Sequence, residues 1–321
     1  MEITENNLIK KLKRFEQKNG RVIRGIGDDG AVVSMTHGRY IFVQDALVEH
    51  IHFEFSFTRA FSVGKKSIYV NVSDILSMGA EPLYFLVTIG IPDTISYRDI
   101  ENLYKGMHRA AGEFNLTLLG GDTVETRNDF FIDVSMVGIL RSDTYMGRNT
   151  ANAGDFIGVT GWLGESAYGL HLLKKGHDPK HTNRFIKRYG EPKPPYSIWK
   201  ELMKRGITNA MMDISDGLII DLERMMSESK KGAVIHMENI PTPDVLKRNG
   251  KENLAVSGGE DYQLLFTFHK NKLEDFQEMK KNGFHVSLIG QVNNGKGIKI
   301  LKNGEMMEIG SKGYEHFGVN L

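Results

Sequence analysis

The sequence predicts a mixed α/β protein made of two domains. Its 321 residues exceed the length of one typical domain, which is about 100–200 residues. With 40% apolar and 25% charged residues, the composition is that of a globular protein. β-Branched and apolar runs alternate with helical stripes along the chain. We therefore predict an N-terminal α/β domain over residues 1–147 and a C-terminal α/β domain over residues 148–321.

The first predicted domain alternates helices and strands. Its clearest helix spans Ser96–Phe114, where apolar side chains recur every three or four residues and form one stripe. Another helix is predicted over Arg59–Met78, ended by Gly79, and a third at the N-terminus, where Leu12 and Phe15 share one face. β-Branched or apolar runs predict strands at Val22–Ile23, Ala31–Val33, Tyr40–Gln44, Leu83–Ile91, Leu116–Leu119 and Phe130–Leu140.

The second predicted domain has the same mixed character. Helices are predicted over Glu165–Leu173 and Leu218–Met226, and the proline-rich segment Glu191–Pro195 is typical of a rigid connector. A hairpin turn is predicted at Asn303-Gly304. Strands are predicted at Asp155–Thr160, Ala233–Met237, Tyr262–Phe268, Val286–Val292 and Ile298–Ile309.

Charge, cysteine content and hydropathy exclude several classes of function. Lys and Arg number 41 and Asp and Glu 40, so a net charge of +1 favours neither nucleic acid nor an anionic membrane as partner. The chain has no cysteine, which excludes disulfides, thiolate metal sites and cysteine nucleophiles and suits a reducing cytoplasm. The longest apolar stretch, Leu83–Pro92, is about half of the ~20 residues that a membrane helix needs. Charged residues occupy the N-terminus, where a signal peptide needs an apolar segment.

A glycine loop near the N-terminus matches two nucleotide-binding patterns that we reject. Gly25–Gly30 fits the dinucleotide spacing G-x-G-x-x-G, and with Val32 it also fits the glycine loop of protein kinases. A dinucleotide site needs a helix directly after the loop, whereas Ala31–Val33 is strand-like. Asp28 and Asp29 would also repel a phosphate. The kinase strings H-R-D and D-F-G are absent, as is a Walker motif.

A set of acidic side chains stands beside Gly or Ser, or directly after an apolar run. Such oxygen ligands suit Mg²⁺, which usually shares its coordination with phosphate oxygens. If the carboxylates converge, each pair about 4 Å apart repels by about 4 kcal/mol at an effective dielectric of about 20, so several ions and a polyphosphate are expected. The alternative is that they are turn residues, and Asp28, Asp133 and Asp261 need be no more than that. The set is Asp28, Asp29, Asp45, Asp74, Asp122, Asp213, Asp216, Glu260 and Asp261.

Six blocks occur in order between about residues 22 and 317: GIGDDGAVV, NVSDILSMGAEP, LLGGDTV, MMDISDGLIIDL, SGGEDYQLLFT and KGYEHF. Together they resemble the thiamine-monophosphate kinases, a family of the aminoimidazole-ribonucleotide synthetase superfamily. The resemblance implies a two-domain α/β fold whose N-terminal sheets pair, between two subunits, into a barrel-like homodimer. It implies a cytoplasmic, Mg²⁺-dependent phosphotransferase that converts ATP and thiamine monophosphate to ADP and thiamine diphosphate, the last step of thiamine diphosphate biosynthesis. Neither nucleic acid nor a membrane is an expected partner.

The resemblance also implies site residues by position. Matches to the family's magnesium ligands are Asp29, Asp45, Asp74, Asp122, Asp213 and Asp216. Matches to its ATP contacts are Gly121, Asp122, Arg148 and Ser215, with Tyr104 near the nucleotide. Matches to its thiamine contacts are His52, Glu260 and Tyr314. One position departs from the family: Gln44 replaces a hydroxyl-bearing residue, and its amide or backbone oxygen is the candidate ligand there.

The implied chemistry needs charge and alignment more than proton transfer. The acceptor phosphate is ionised at pH 7, so we expect direct in-line transfer without a general base. Arg148 would add positive charge at the triphosphate, Glu260 would accept from the substrate amine, and Tyr314 would stack on the ring or face the cation, worth ~0.5–2 kcal/mol. The plainer alternatives are surface charge for Arg148, packing on Phe317 for Tyr314, and a solvated strand position for His52.

Other functions remain as alternatives. Aminoimidazole-ribonucleotide synthetase fits the SGGEDY and KGYEHF blocks poorly, and the selenophosphate synthetase and hydrogenase-maturation relatives normally use a cysteine, which this chain lacks. From a different class, the chain could be a non-catalytic Mg²⁺-nucleotide sensor. The carboxylates present in every block argue against that alternative.

Overall fold

The computed structural model describes residues 12–15, 20–24, 31–178, 183–307 and 313–314, and these divide into two units. The first unit contains the described residues up to Leu76 together with Ala80–Thr144. The second contains Ser77–Gly79 and the described residues from Tyr145 onward. The predicted N-terminal helix lies mostly outside the described residues, as does the loop Gly25–Gly30.

The first unit is built on a four-stranded sheet with the order β3-β6-β4-β5. β4 and β5 are parallel, and the other two pairings are antiparallel. A short antiparallel ribbon of β1 and β2 stands apart from this sheet. The strands are β1 (Val22–Arg24), β2 (Val32–Val33), β3 (Tyr40–Val48), β4 (Ala80–Ile91), β5 (Thr117–Glu125) and β6 (Phe131–Leu140), and the helices are α1 (Ala60–Ser77) and α2 (Tyr97–Glu113).

Helix α2 confirms the strongest helix prediction. Ser96 caps its N-terminus, accepting from the Asp99 amide while the Asp99 carboxylate accepts from the Ser96 amide. Its apolar stripe, including Ile100, Leu103 and Met107, is buried in the core of the first unit. The helix connects the two parallel strands, as a parallel pair requires.

Two strands run further than the sequence predicts. β3 continues through Asp45 to Val48, and β5 continues through Gly120, Gly121 and Asp122 to Glu125. The prediction ended both strands early because Gly and Asp favour turns, whereas pairing with neighbouring strands keeps these residues extended.

The segment after β3 is a turn, not the strand suggested by its alternating pattern. The His50 amide donates to the Phe53 carbonyl at 2.9 Å, and His50 has a φ of +67°. The plainer alternative for His52, a solvated strand position, is therefore wrong. Local backbone hydrogen bonds outweigh the apparent two-residue period here.

The second unit is built on a seven-stranded mixed sheet with the order β13-β12-β9-β11-β7-β10-β8. Side chains such as Ile157, Met212, Leu218 and Leu265 form its buried core. Its strands are β7 (Phe156–Thr160), β8 (Ala210–Ile214), β9 (Gly232–His236), β10 (Gln263–Phe268), β11 (Val286–Asn293), β12 (Gly297–Lys302) and β13 (Glu305–Met306). Its helices are α3 (Glu165–Lys174), α4 (Arg184–Gly190), α5 (Tyr196–Arg205), α6 (Leu218–Ser229), α7 (Asp244–Arg248), α8 (Leu254–Ser257) and α9 (Leu273–Lys281).

Most predicted elements of the second unit are present with shifted ends. The last predicted strand divides into β12 and β13 around the predicted turn, where Asn303 and Gly304 both have positive φ. The proline-rich connector joins α4 and α5, two helices that the sequence analysis did not identify. None of the helices in the described ranges combines the length and the apolar character of a membrane span.

Candidate active site

Three predicted metal ligands of the first unit lie on different elements. Asp45 is on β3, Asp74 lies inside α1, and Asp122 is on β5. Asp45 and Asp74 are half-buried, whereas Asp122 is exposed and its Oδ1 accepts from the Thr123 amide at 2.8 Å. Asp29, the fourth predicted ligand of this half of the chain, lies outside the described residues.

Gln44 and Asp45 point to opposite faces of the sheet, because successive strand residues alternate. Asp45 shares its face with buried Leu47, while the Gln44 amide donates to Asp133 Oδ2 at 2.7 Å on the other face. An ion beside the Asp45 carboxylate would therefore have to use the backbone oxygen of Gln44, not its amide. Asp133 is held in this contact, in agreement with the structural alternative for that residue.

Gly121 is required by close packing between the parallel strands. A Cβ at this position would lie 1.7 Å from the carbonyl oxygen of Val87 on β4. The sequence analysis interpreted this glycine only as a match to the family's ATP contacts. The structure adds a reason within the fold, since only glycine lets β5 pair with β4 at this point and carry Asp122 in its present position.

Tyr104, predicted near the nucleotide, is buried in the first unit. Its ring stacks on Phe15 with the centroids 5.9 Å apart, and burial raises the pKa of its hydroxyl. The structure therefore gives this tyrosine a packing role. The sequence spacing already indicated this role, because Tyr104 follows Ile100 by four residues and so lies on the apolar stripe of α2.

His52 is held by its own turn and by a buried lysine. Its Nδ1 accepts from the Val48 amide at 3.0 Å, so the neutral ring carries its proton on Nε2. Lys66, which is fully buried in α1, donates to the His52 carbonyl oxygen at 2.8 Å. The ring is thus oriented as a hydrogen-bond donor through Nε2.

In the second unit, three predicted site residues lie at the end of β8 and in the loop that follows it. Asp213 is buried at the end of the strand, and Ser215 and Asp216 follow it, both half-buried. The Oδ2 atom of Asp221 accepts from the amides of Ser215, Asp216 and Gly217, each at 3.1 Å. Hydrogen bonds to a carboxylate in the first turn of α6 therefore fix the backbone conformation of this loop.

Two further predicted residues lie on segments that hydrogen-bond to this loop. The Glu260 amide donates to the Ser215 carbonyl at 2.6 Å, and the Tyr314 amide donates to the Asp216 carbonyl at 3.0 Å. Glu260 has a φ of +64°, a conformation that costs a non-glycine residue about 1–3 kcal/mol. Tyr314 is 46% exposed. The second unit thus brings Ser215, Asp216, Glu260 and Tyr314 together.

Asp261, beside Glu260, has a structural role. Its buried carboxylate accepts from the amides of Gly164 and Ser166 at the N-terminus of α3. Burial raises the pKa of this carboxyl to about 7, although these amides and Arg188 oppose the shift. Asp261 therefore has a structural role, as the alternative for this residue proposed, but its carboxylate caps the N-terminus of a helix and does not stabilise a turn.

Arg148 lies at the other end of β8. The neighbouring Gly147 pairs with Ala210, the first residue of that strand. The carbonyl oxygen of Arg148 accepts from the Ser229 hydroxyl at 2.8 Å. Ser215 follows Ala210 at about 17 Å of extended chain. Within the second unit, the backbone of Arg148 is therefore not beside Ser215.

The loop after β8 concentrates negative charge. Burial and the neighbouring Asp213 and Asp216 raise the pKa of Asp221 to about 7. Arg224 partly compensates this charge, with its Nη1 2.5 Å from Asp216 Oδ2 and 2.8 Å from Asp221 Oδ1. Within the described ranges, no three His, Asp or Glu side chains are placed to enclose a metal ion by themselves. Hard oxygen donors in excess over cations nevertheless fit Mg²⁺, which typically takes one or two carboxylates together with waters and substrate phosphates.

Asp221 and Arg224 were not identified as functional residues from the sequence. Asp221 stands in the block MMDISDGLIIDL and Arg224 two residues after it, and their i, i+3 spacing on a predicted helix is a signal for an ion pair. Sequence spacing could not show that the Asp221 carboxylate accepts hydrogen bonds from the backbone of the preceding loop.

Comparisons with known proteins agree over nearly the whole chain. The family model described as AIR synthase related protein, N-terminal domain, matches residues 27–140, and the corresponding C-terminal domain model matches residues 152–303. The thiamine-monophosphate kinase of Buchnera aphidicola subsp. Acyrthosiphon pisum is 35% identical over 328 residues, which cover 99% of this chain and 100% of that protein. The thiamine-monophosphate kinase structure from Stenotrophomonas maltophilia K279a has a TM-score of 0.83 at 27% identity, covering 94% of this chain and 97% of that one. The structure of AaThiL complexed with AMPPCP and TMP has a TM-score of 0.77 at 30% identity and covers 99% of both chains.

Proposed function

The chain belongs to the AIR synthase related family and, within it, to the thiamine-monophosphate kinases, and from this premise we propose its reaction and its site. The protein transfers the γ-phosphoryl group of ATP to the phosphate of thiamine monophosphate, giving ADP and thiamine diphosphate. The single observation that carries this function is similarity over the full length of both chains to thiamine-monophosphate kinases. The arrangement of Ser215, Asp216, Glu260 and Tyr314 around one loop of the second unit supports the site assignment.

We propose that the carboxylates implied by the family resemblance bind Mg²⁺. When bound, Mg²⁺ neutralises phosphate oxygens and aligns the donor and acceptor groups. Asp213 and Asp216 are suited to it because their loop carries more negative charge than Arg224 balances. The proposed ligands are Asp29, Asp45, Asp74, Asp122, Asp213 and Asp216, with the backbone oxygen of Gln44.

ATP is the phosphoryl donor in this proposal. Ser215 would hydrogen-bond to its phosphates from the loop that Asp221 holds, and Gly121 and Asp122 would contact it from β5. Arg148 is exposed and supplies a positive charge that a triphosphate requires. Tyr104 is removed from the list of direct contacts because its ring is buried.

Thiamine monophosphate is bound by three side chains in this proposal. His52 donates from Nε2 to an acceptor of the substrate, a role that follows from the bond between its Nδ1 and the Val48 amide. Glu260 accepts from the exocyclic amine or balances the cationic ring, and Tyr314 offers an exposed aromatic face to it. No general base is needed, since the acceptor phosphate is already ionised near neutral pH.

A homodimer formed through the open face of the four-stranded sheet is part of the proposal. On this face Phe42 is 73% exposed and Leu86 43% exposed. They line a groove of about 350 Å³ together with Gln44 and Ser135. Exposed apolar side chains in one patch favour a protein partner. A cytoplasmic location is proposed from the absence of cysteine in the sequence.

One assay tests the function. Purified protein is incubated with Mg²⁺, ATP and thiamine monophosphate, and thiamine diphosphate and ADP are quantified by chromatography. We expect the two products in equal amounts and no reaction when Mg²⁺ is chelated. Absence of turnover, with aminoimidazole ribonucleotide formed from its own precursor instead, would contradict the proposal. Nucleotide binding without any turnover would favour the sensor alternative.

A further inference from the structure

A buried carboxylate supports the loop that carries Ser215 and Asp216. Asp221 has no exposed surface, and one of its oxygens accepts from three consecutive backbone amides. Its second oxygen accepts from Arg224 Nη1 at 2.8 Å. When the Asp221 carboxyl is ionised, all of these bonds involve a charged partner, and such bonds are stronger than neutral ones.

Arg224 extends this support to a side chain. The same Nη1 that contacts Asp221 donates to Asp216 Oδ2 at 2.5 Å. Asp221 and Arg224 therefore hold both the backbone of the loop and the carboxylate of Asp216. The Asp216 carboxylate is therefore oriented by a contact within the chain.

A buried carboxylate is costly unless its bonds repay the loss of water, and for Asp221 three backbone amides and Arg224 supply those bonds. A role in fold stability alone does not require that the carboxylate lie under these particular amides. The bonds instead meet at the two residues that the proposed function assigns to ATP and Mg²⁺.

We propose that Asp221 and Arg224 are positioning residues for phosphoryl transfer, an inference that rests on the proposed function. Asp221 orders the backbone at Ser215–Gly217, and Arg224 orients the Asp216 carboxylate. Neither residue touches the reacting atoms in this role. Preorganised groups accelerate phosphoryl transfer because no reorganisation is left for the moment of reaction.

The test of Asp221 combines hydrogen exchange with kinetics. In Asp221→Ala, we expect the amides of Ser215–Gly217 to exchange at least tenfold faster, while those of β7 and β10 keep their rates. In Asp221→Asn, one oxygen remains to accept from the amides, so exchange should recover partly. We expect kcat to fall at least tenfold in the alanine variant and less in the asparagine variant, with KM for thiamine monophosphate within twofold of wild type.

Arg224 is tested by charge and length. Arg224→Met should leave the exchange of the Ser215–Gly217 amides nearly unchanged but lower kcat at least fivefold, and Arg224→Lys should restore part of the loss. Asp244→Asn is the matched control, because Asp244 is an exposed carboxylate in the first turn of α7 in the same unit. Its kinetics and exchange should stay within twofold of wild type.

Several outcomes overturn the inference. Unchanged exchange at Ser215–Gly217 in Asp221→Ala would remove the anchoring role. Faster exchange with wild-type kinetics would make Asp221 purely structural. If Asp221→Ala does not fold, an unchanged kcat in both Asp221→Asn and Arg224→Met would also contradict the positioning role. If the wild-type protein forms no thiamine diphosphate, the proposed function fails, whereas the exchange result still decides whether Asp221 orders the loop.

Discussion

The backbone contact at Gly121 leads to a sharp prediction about stability. A Cβ at this position would stand 1.7 Å from the carbonyl oxygen and 2.7 Å from the carbonyl carbon of Val87, inside the 3.0 Å that real Cβ atoms respect. Because both atoms are backbone, no rotamer change relieves the clash. In Gly121→Ala, β5 must therefore move away from β4 by more than about 1 Å.

The cost can be worked from this displacement. Overpacking in a well-packed site costs about 1–3 kcal/mol, and weakening about two ladder hydrogen bonds costs a further 1–3 kcal/mol. We expect the free energy of unfolding of the first unit to fall by about 2–6 kcal/mol. The kcat for phosphoryl transfer should fall as well, since Asp122 is the next residue on the displaced strand.

The neighbouring glycine is a matched control. A Cβ at Gly120 meets only the Leu86 Cδ2 atom at 3.7 Å, an ordinary contact. Gly120→Ala should therefore leave the unfolding free energy unchanged or raise it by about 0.4–1 kcal/mol through the lower entropy of the unfolded chain. Urea denaturation and hydrogen exchange at the amides of β4 and β5 measure both variants. Equal stability of the two variants would refute the argument from backbone contact.

Three further predictions concern single carboxylates and one aromatic side chain. Asp122→Asn should lower kcat by about 100-fold or more with little change in the thermal midpoint, because Asp122 is exposed; wild-type kcat would remove it from the ligand set. Tyr314→Ala should raise KM for thiamine monophosphate more than KM for ATP in steady-state kinetics, since its bond to Asp216 uses the backbone and survives; the opposite pattern would remove Tyr314 from the substrate site. The pKa of Asp261 is raised to about 7 in the folded state. Between about pH 4 and 7 the folded state therefore keeps a proton that the unfolded chain has lost. The contribution of this group to stability falls as the pH rises through that range. Asp261→Asn should flatten the change in urea midpoint between pH 5 and pH 7.5, and an unchanged slope would show that the group does not titrate there.

Elements whose signals are local were predicted well. Helix α2 has its apolar stripe, its Ser96 cap and its Asp99 partner within one stretch of chain, so neighbouring residues alone specify it. The mixed α/β class is confirmed for the same reason, and the family resemblance is confirmed because it rests on six blocks in order.

Elements that depend on distant partners were predicted less well. Gly120-Gly121-Asp122 has the local pattern of a turn, yet pairing with β4 extends it as a strand. There the local preference is worth less than the backbone hydrogen bonds that a distant strand supplies. His50–Phe53 was missed for a different reason, because its alternating side chains suggest a strand whereas backbone bonds within the segment close it into a turn.

The sequence by itself determined the family, the α/β class and the chemical types of the site: oxygen-bearing side chains, small residues beside them, and no cysteine. These properties are visible along the chain because each depends on residue type and order. Only the tertiary structure decided that Gln44 turns away from Asp45, that Tyr104 is buried, and that Asp221 lies beneath the loop of Ser215. These facts depend on the direction in which each side chain points. That direction follows from the strand register and from where a helix begins, and contacts between residues far apart in the sequence set both. Residue type names the possible ligand, and packing decides which atom it offers.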